Sequence, residues 1–182
     1  HGCSPELRKN RVSVQELGVD FLTIAGHKMY APQGIGAMYV RHGIEVDSLH
    51  HGAGHERGRR AGTEPVAGIA GLGAASELAR KSPCESKLIA LRDRLWSRLR
   101  DRLHDRVVLL GHATKRLPNT LNVGFRGEVG DELLARCSDL CATTGAACHA
   151  GTHEKSGVLA AMQVPNEIAL GAVRLSVGRY TS

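Results

Sequence analysis

Apolar positions along this chain come in two spacings. Residues 21–25, Phe-Leu-Thr-Ile-Ala, form a short, nearly unbroken apolar run rich in strand formers, the pattern of a strand covered on both faces. Residues 37–40 form a second run, and Pro32, Gly34 and Gly36 between them mark a tight turn. Gly26, His27 and Lys28 close the first run. Lys28 is therefore expected at the end of a buried strand, largely desolvated and held on a turn. Residues 12–18 read as a short helix or turn leading in, and residues 1–10 show no clear period.

The other spacing is helical. Thr63, with Glu64 and Pro65 behind it, reads as the cap of a helix to about Arg80, and its small residues Gly68, Gly71, Gly73, Ala74 and Ala75 allow close approach to a neighbour. Ser82-Pro83 breaks it. Leu88, Leu91, Leu95, Leu99 and Leu103 then recur at helical spacing through residues 85–106, with the arginines outward. Beyond it, residues 107–110, 120–125 and 174–178 read as strands and 141–144 as a further short one. Residues 129–137, 158–162 and 167–172 read as helices. The pattern is α/β: a partial large domain over residues 1–80, a connecting helix over 81–106 and a smaller α+β domain over 107–182.

Residues 50–63 fit neither spacing. Gly52, Gly54, Gly58 and Gly62 make ordering there entropically costly, so this is a loop, and loops carry sites.

Composition narrows the function classes. No apolar run is long enough to span a membrane, no signal-peptide pattern opens the chain, and five cysteines are an odd number without a regular framework, so free thiols in a reducing, cytoplasmic setting are expected. A net charge of +6 raises the question of nucleic acid, but the arginines of residues 85–106 alternate with acids and aromatic platforms are scarce. Cys137, Cys141, Cys148, His149 and His153, or the histidines of 50–55, invite a zinc reading. With no Cys-x-x-Cys knuckle, Cys137 and Cys141 read instead as small buried hydrophobes, and no metal is assigned.

Two residues carry candidate chemistry. A desolvated lysine loses its proton readily and condenses with a carbonyl, although a surface lysine on a hairpin is the plainer account of Lys28. Cys148 lies on a small-residue loop, 143–151, where a thiol can move and its thiolate can be favoured by His149 or backbone N–H groups. An inert loop thiol is the alternative.

The string His27-Lys28-x-x-Ala31-Pro32-x-Gly34-x-Gly36-x-x-Tyr39-x-Arg41 resembles the lysine segment of the pyridoxal-phosphate-dependent cysteine desulfurases and selenocysteine lyases. Gly52-x-Gly54-x-Glu56-Arg57-x-x-Arg60-x-Gly62-Thr63, Leu117-Pro118-Asn119-Thr120 and the run from Arg174 to Thr181 resemble three more of that family's motifs in the same order. Gly145-Ala-Ala-Cys148-His149 is closer to the selenocysteine lyase form. The resemblance covers about residues 9–180 and implies the second half of a class V aminotransferase fold.

It further implies that Lys28 holds pyridoxal 5'-phosphate through its amine and shuttles a proton at the substrate Cα, and that His27 contacts the phosphate or ring edge. Thr63 reaches the phosphate of the neighbouring subunit, making a homodimer part of the site, Arg174 clamps the carboxylate of a small amino-acid substrate, and Cys148 meets the sulfur or selenium. The implied reaction yields L-alanine from L-cysteine or L-selenocysteine, with a sulfur or selenium acceptor protein downstream.

Two departures accompany this. Ala25 stands where the family has a serine, and the family's ring-nitrogen aspartate and ring-hydroxyl glutamine fall, without a gap, on Gly2 and Pro5. Residues 1–8 therefore read as foreign, misjoined or divergent sequence, and the chain alone is expected to bind the cofactor poorly and to be a weak or inactive enzyme. A non-catalytic dimerising or scaffold paralogue, and a zinc- or nucleic-acid-binding module, are the other readings.

Overall fold

A computed structural model describes residues 12–81, 84–144 and 156–182. The chain divides into two compact units, residues 1–83 and 84–182.

The first unit begins with helix α1 (Val14–Leu17), where the Ser13 hydroxyl accepts from the Glu16 N–H at 3.3 Å and Gly18, at φ 62°, ends the turn. Strand β1 (Phe21–Ala25) pairs antiparallel with β2 (Gly36–Val40), from Phe21 opposite Val40 to Ala25 opposite Gly36. At the open end of this hairpin the Arg41 N–H donates to the Asp20 carbonyl at 2.9 Å, and the Arg41 guanidinium meets the Asp20 carboxylate at 3.2 Å.

β1 is not covered on both faces. Only Leu22 is buried in it, and Phe21 is 48% exposed, because among the described residues nothing packs over the face that carries Phe21 and Thr23.

Helix α2 (Val66–Lys81) starts three residues past Thr63, so Thr63 is not its cap; the Ile69 N–H reaches back to the Pro65 carbonyl at 3.0 Å instead. The small residues do permit close approach. A Cβ on Gly71 would lie 2.7 Å from the Pro32 ring, and one on Gly68 would lie 3.4 Å from Ile35. In the last turn of α2, Arg80 and then Lys81 hold the Glu77 carboxyl below its ordinary value.

In the second unit, helix α3 (Glu85–Leu103) packs on an antiparallel sheet of β3 (Val107–Leu109), β4 (Thr120–Phe125) and β5 (Ala172–Ser176), in the order β3-β4-β5. Strand alternation separates two faces. Val107, Leu109, Leu121, Val123 and Leu175 meet Leu95, Trp96, Leu99 and Leu103 of α3, whereas Val108, Leu110 and Ala172 meet Leu159, Ile168 and Ala169. The latter three come from α5 (Gly157–Ala161) and α6 (Asn166–Ala169), with α4 (Gly130–Arg136) preceding them in the chain. Leu121 and Val123 are 1% and 0% exposed, and burying each contributes roughly 1.5–3 kcal/mol.

One arginine of α3 does not point outward. Arg92 is buried, with Nε and Nη2 2.8 Å from the Asp93 carboxylate and Nη1 donating to the Leu117 carbonyl at 3.0 Å. These contacts offset the cost of burying its charge. Beside it, Nε and Nη1 of Arg116 are buried without a hydrogen-bond partner among the described residues. Burial first, then the Arg92 charge, pulls the Arg116 guanidinium below its ordinary value.

Candidate active site

The lysine segment is a single 3₁₀ turn. Residues three apart share a face of such a turn, so Gly26 and Met29 of Gly26–Met29 are buried while His27 and Lys28 are exposed. The turn is fixed on both sides: the Gly26 N–H donates to the Ile35 carbonyl at 2.9 Å, and the Ala31 N–H donates to the Gly26 carbonyl at 3.1 Å. Tyr30 closes it at φ 64°, a left-handed conformation that is costly for a residue with a Cβ.

The expected desolvation of Lys28 is not found. The turn presents position 28 outward, and its amine has no ion-pair partner among the described residues. By contrast, Lys81 pairs with Glu77 at 3.0 Å and Lys87 donates to the Arg179 carbonyl at 3.2 Å.

Gly26 is required sterically, since a Cβ there would lie 2.6 Å from the Ile35 carbonyl oxygen. Gly26→Ala is expected to cost about 1–3 kcal/mol, as overpacking does. The check is amide hydrogen exchange along β2, which speeds up in the variant while exchange in β4 is unchanged.

The glycine-rich loop holds a tight left-handed turn, His55–Gly58, in which Glu56 and Arg57 sit at φ 50° and 60°, two successive non-glycine residues in the left-handed region. Such strain, with the His55 Nδ1 buried and unpartnered among the described residues, is held only where surrounding structure over-determines it. Ala61 N–H to His50 carbonyl, at 3.2 Å, closes the loop, and the Thr63 side chain is exposed after it.

Between this loop, the hairpin and α2 lies a cleft of about 680 Å³. Ile35, Met38, Ile69 and Leu72 give it apolar walls, and Arg57, Arg59 and Arg60 give it a cationic rim. Sequence reasoning missed this cleft. Its signal is the arginine cluster Arg57, Arg59 and Arg60 between an apolar hairpin and a small-residue helix, of which Arg57 and Arg60 read only as part of a family motif.

In the second unit Arg174 lies on β5 opposite Asn122, with its side chain exposed. Across the other edge of β5, the Arg174 N–H donates to the Thr143 carbonyl at 2.7 Å and the Thr143 N–H returns a bond at 3.4 Å. This isolated bridge takes the place of the strand expected over residues 141–144. The Thr144 hydroxyl also donates to the Asp131 carboxylate at 2.8 Å. Arg174 is thus tied to the point where the chain enters the Cys148 segment. Cys148, His149 and His153 lie outside the described residues, as do Gly2 and Pro5.

Cys137 and Cys141 are exposed rather than buried, because α4 ends at Arg136 and the turn after it lies on the surface. Among the described residues no three His, Cys, Asp or Glu side chains gather to hold a metal, and no helix is long and apolar enough to cross a membrane.

The sequence profile of the family Aminotransferase class-V matches residues 4–182. Cysteine desulfurase IscS of Methanosarcina thermophila is 45% identical over 175 residues, covering 94% of this chain and 43% of its own length. The cysteine desulfurase of Gluconacetobacter diazotrophicus is 47% identical over 165 residues, covering 88% of this chain and 41% of its own. The chain thus spans less than half the length of these relatives. A NifS-like protein from Rickettsia africae superposes with a TM-score of 0.84 at 27% identity, over 97% of this chain and 47% of its own. SspA in complex with cysteine superposes with a TM-score of 0.72 at 29% identity, over 98% of this chain and 49% of its own. The motifs, the topology and these matches agree: the chain belongs to the class V aminotransferase family, with an α/β structure corresponding to the C-terminal half of that pyridoxal-phosphate-dependent transferase fold.

Proposed function

We propose that this chain carries the lysine, arginine and thiol of a pyridoxal-phosphate-dependent enzyme that removes sulfur or selenium from L-cysteine or L-selenocysteine and releases L-alanine. The observation that carries the reading is the family's lysine string around Lys28 in a chain 45% identical over 175 residues to a cysteine desulfurase, with the turn leaving that amine accessible.

The residues present fit two ends of the cofactor. The accessible Lys28 amine suits its aldehyde, and the exposed Thr63 hydroxyl suits its phosphate, in a homodimer that of the neighbouring subunit. The ring-nitrogen end is not matched, since Gly2 stands where a carboxylate is needed. When bound, pyridoxal phosphate supplies an acceptor for the electron pair of the substrate Cα–H bond.

The chain's own groups do the rest. Lys28 gives way to the substrate amine and takes the Cα proton, while His27 lies beside it on the same turn. Arg174 holds the substrate carboxylate with two parallel N–H donors. The Cys148 thiolate takes the sulfur atom and becomes a persulfide, the electron pair of the broken Cβ–S bond staying with the carbon that leaves as alanine, or with a selenium substrate only discriminates it; an acceptor protein then takes the sulfur or selenium.

Incubation with pyridoxal phosphate, borohydride fixation and peptide mass spectrometry tests this. The label is expected at Lys28, with weak capture and little alanine from either substrate if Gly2 takes the ring-nitrogen position that an ungapped count from Lys28 gives it. Label spread evenly over the lysines would point to the scaffold paralogue instead, and turnover near ~1 s⁻¹ would show that the Gly2 departure does not matter.

A further inference from the structure

Among the described residues, two exposed thiols are not used by this reaction. Cysteine is among the most buried residue types, yet Cys137 and Cys141 are both free, both exposed and four residues apart. Their segment is closed on itself. The Cys137 N–H caps α4 by donating to the Leu134 carbonyl at 3.0 Å, and the Leu140 N–H donates back to the Cys137 carbonyl at 2.9 Å. A turn of this kind keeps its end Cα atoms within about 7 Å, and Cys141 is one ~3.8 Å step further on. The roughly 4.4–6.8 Å Cα separation of a disulfide lies inside that reach. Of the three residues between them, Ser138 and Asp139 are small or short, and Leu140 is 47% exposed and so is not packed into the interior.

We propose that Cys137 and Cys141 form a redox-active pair that a small-molecule disulfide such as oxidised glutathione converts to an intramolecular disulfide. One thiolate attacks a glutathione sulfur, forming a mixed disulfide and expelling one glutathione thiolate. The second thiolate then attacks the protein sulfur of that mixed disulfide and expels the other. Two protein thiols are oxidised, one glutathione disulfide is reduced, and the two protons lost by the protein thiols are taken up by the two expelled glutathione thiolates, giving two glutathione thiols. The bond shortens the link between α4 and the Thr143–Arg174 bridge, which begins two residues after Cys141. The proposal goes beyond the lyase reading and stands without it.

The test equilibrates the 182-residue chain in glutathione buffers of graded ratio, quenches with acid, alkylates and maps the cysteines by fragmentation mass spectrometry. A Cys148→Ser chain is run in parallel, so that the tryptic peptide holds only the two thiols in question. Oxidation is expected to leave that peptide unalkylated and lighter by two hydrogen atoms. The reduced chain is expected to bind one equivalent of phenylarsine oxide, which either Cys137→Ser or Cys141→Ser abolishes. Separate glutathione adducts on the two cysteines, or a bond from either one to Cys148, would overturn the proposal, as would arsenical binding that survives both substitutions. Because both side chains are exposed, the serine variants are expected to fold, and unchanged far-UV circular dichroism checks this.

Discussion

Replacing Lys28 by alanine is expected to remove most of the pyridoxal phosphate that borohydride can fix to this chain and to leave its stability within about 0.5 kcal/mol, as for an exposed side chain. The two halves of this expectation have separate causes. Stability is untouched because Gly26 and Met29, not Lys28, anchor the turn. Capture falls because two of the competing amines among the described residues are engaged, Lys81 with Glu77 and Lys87 with the Arg179 carbonyl. Lys115 makes no such side-chain contact and is the proper control. Lys115→Ala should keep the label where Lys28→Ala loses it. A tenfold fall in fixed cofactor corresponds to about 1.4 kcal/mol of preference for the Lys28 amine. Equal losses in the two variants would mean that exposure alone decides capture, and the assignment of Lys28 would fail.

What the sequence made legible follows from how local each feature is. β4 spans residues 120–125 as its alternating pattern indicates, and the leucine spacing of α3 puts Leu95, Leu99 and Leu103 against β3 and β4, because both periods are local properties of the chain. Burial is not local. The apolar run 21–25 reads as covered on both faces, but Phe21 and Thr23 are exposed, and the 3₁₀ turn that follows buries Gly26 and Met29 and carries Lys28 outward. Cys137 looked like a core thiol from its place in a helical pattern, yet α4 stops one residue short of it. Arg92 erred the other way. Its charge placed it outside, whereas the Leu117 carbonyl, 25 residues on, and the adjacent Asp93 carboxylate allow it inside. The family motifs were legible because they are contiguous strings. The arginine-rimmed cleft was not, since it needs the hairpin, the loop and α2 folded together.

Gly171→Ala is expected to destabilise the second unit by about 3 kcal/mol or more, at the upper end of what overpacking costs. Gly171 joins α6 to β5, and a Cβ there would overlap the Phe125 carbonyl oxygen and lie 3.0 Å from that of Glu128. Both are backbone atoms, so no side chain can rotate away. The Gly171 carbonyl accepts from the Phe125 N–H at 3.0 Å, so relief by moving the backbone loosens the β4–β5 junction itself. For a unit of this size, 3 kcal/mol lowers the unfolding midpoint by roughly 12–24 °C. Trp96, the single tryptophan, packs against Val107, Leu121 and Val123, so its fluorescence reports on this unit. Gly157→Ala is the matched control. Nothing lies within 4 Å of a Cβ at that position, which opens α5, and alanine there should be neutral or stabilising by up to about 1 kcal/mol. Arg174 lies three residues beyond Gly171 on β5, so the same change should also disturb the Thr143–Arg174 bridge, read as faster exchange of the Arg174 amide in Gly171→Ala than in Gly157→Ala. Equal midpoints for the two variants would mean that the α6–β5 junction yields to an added methyl group and does not hold Arg174 in place.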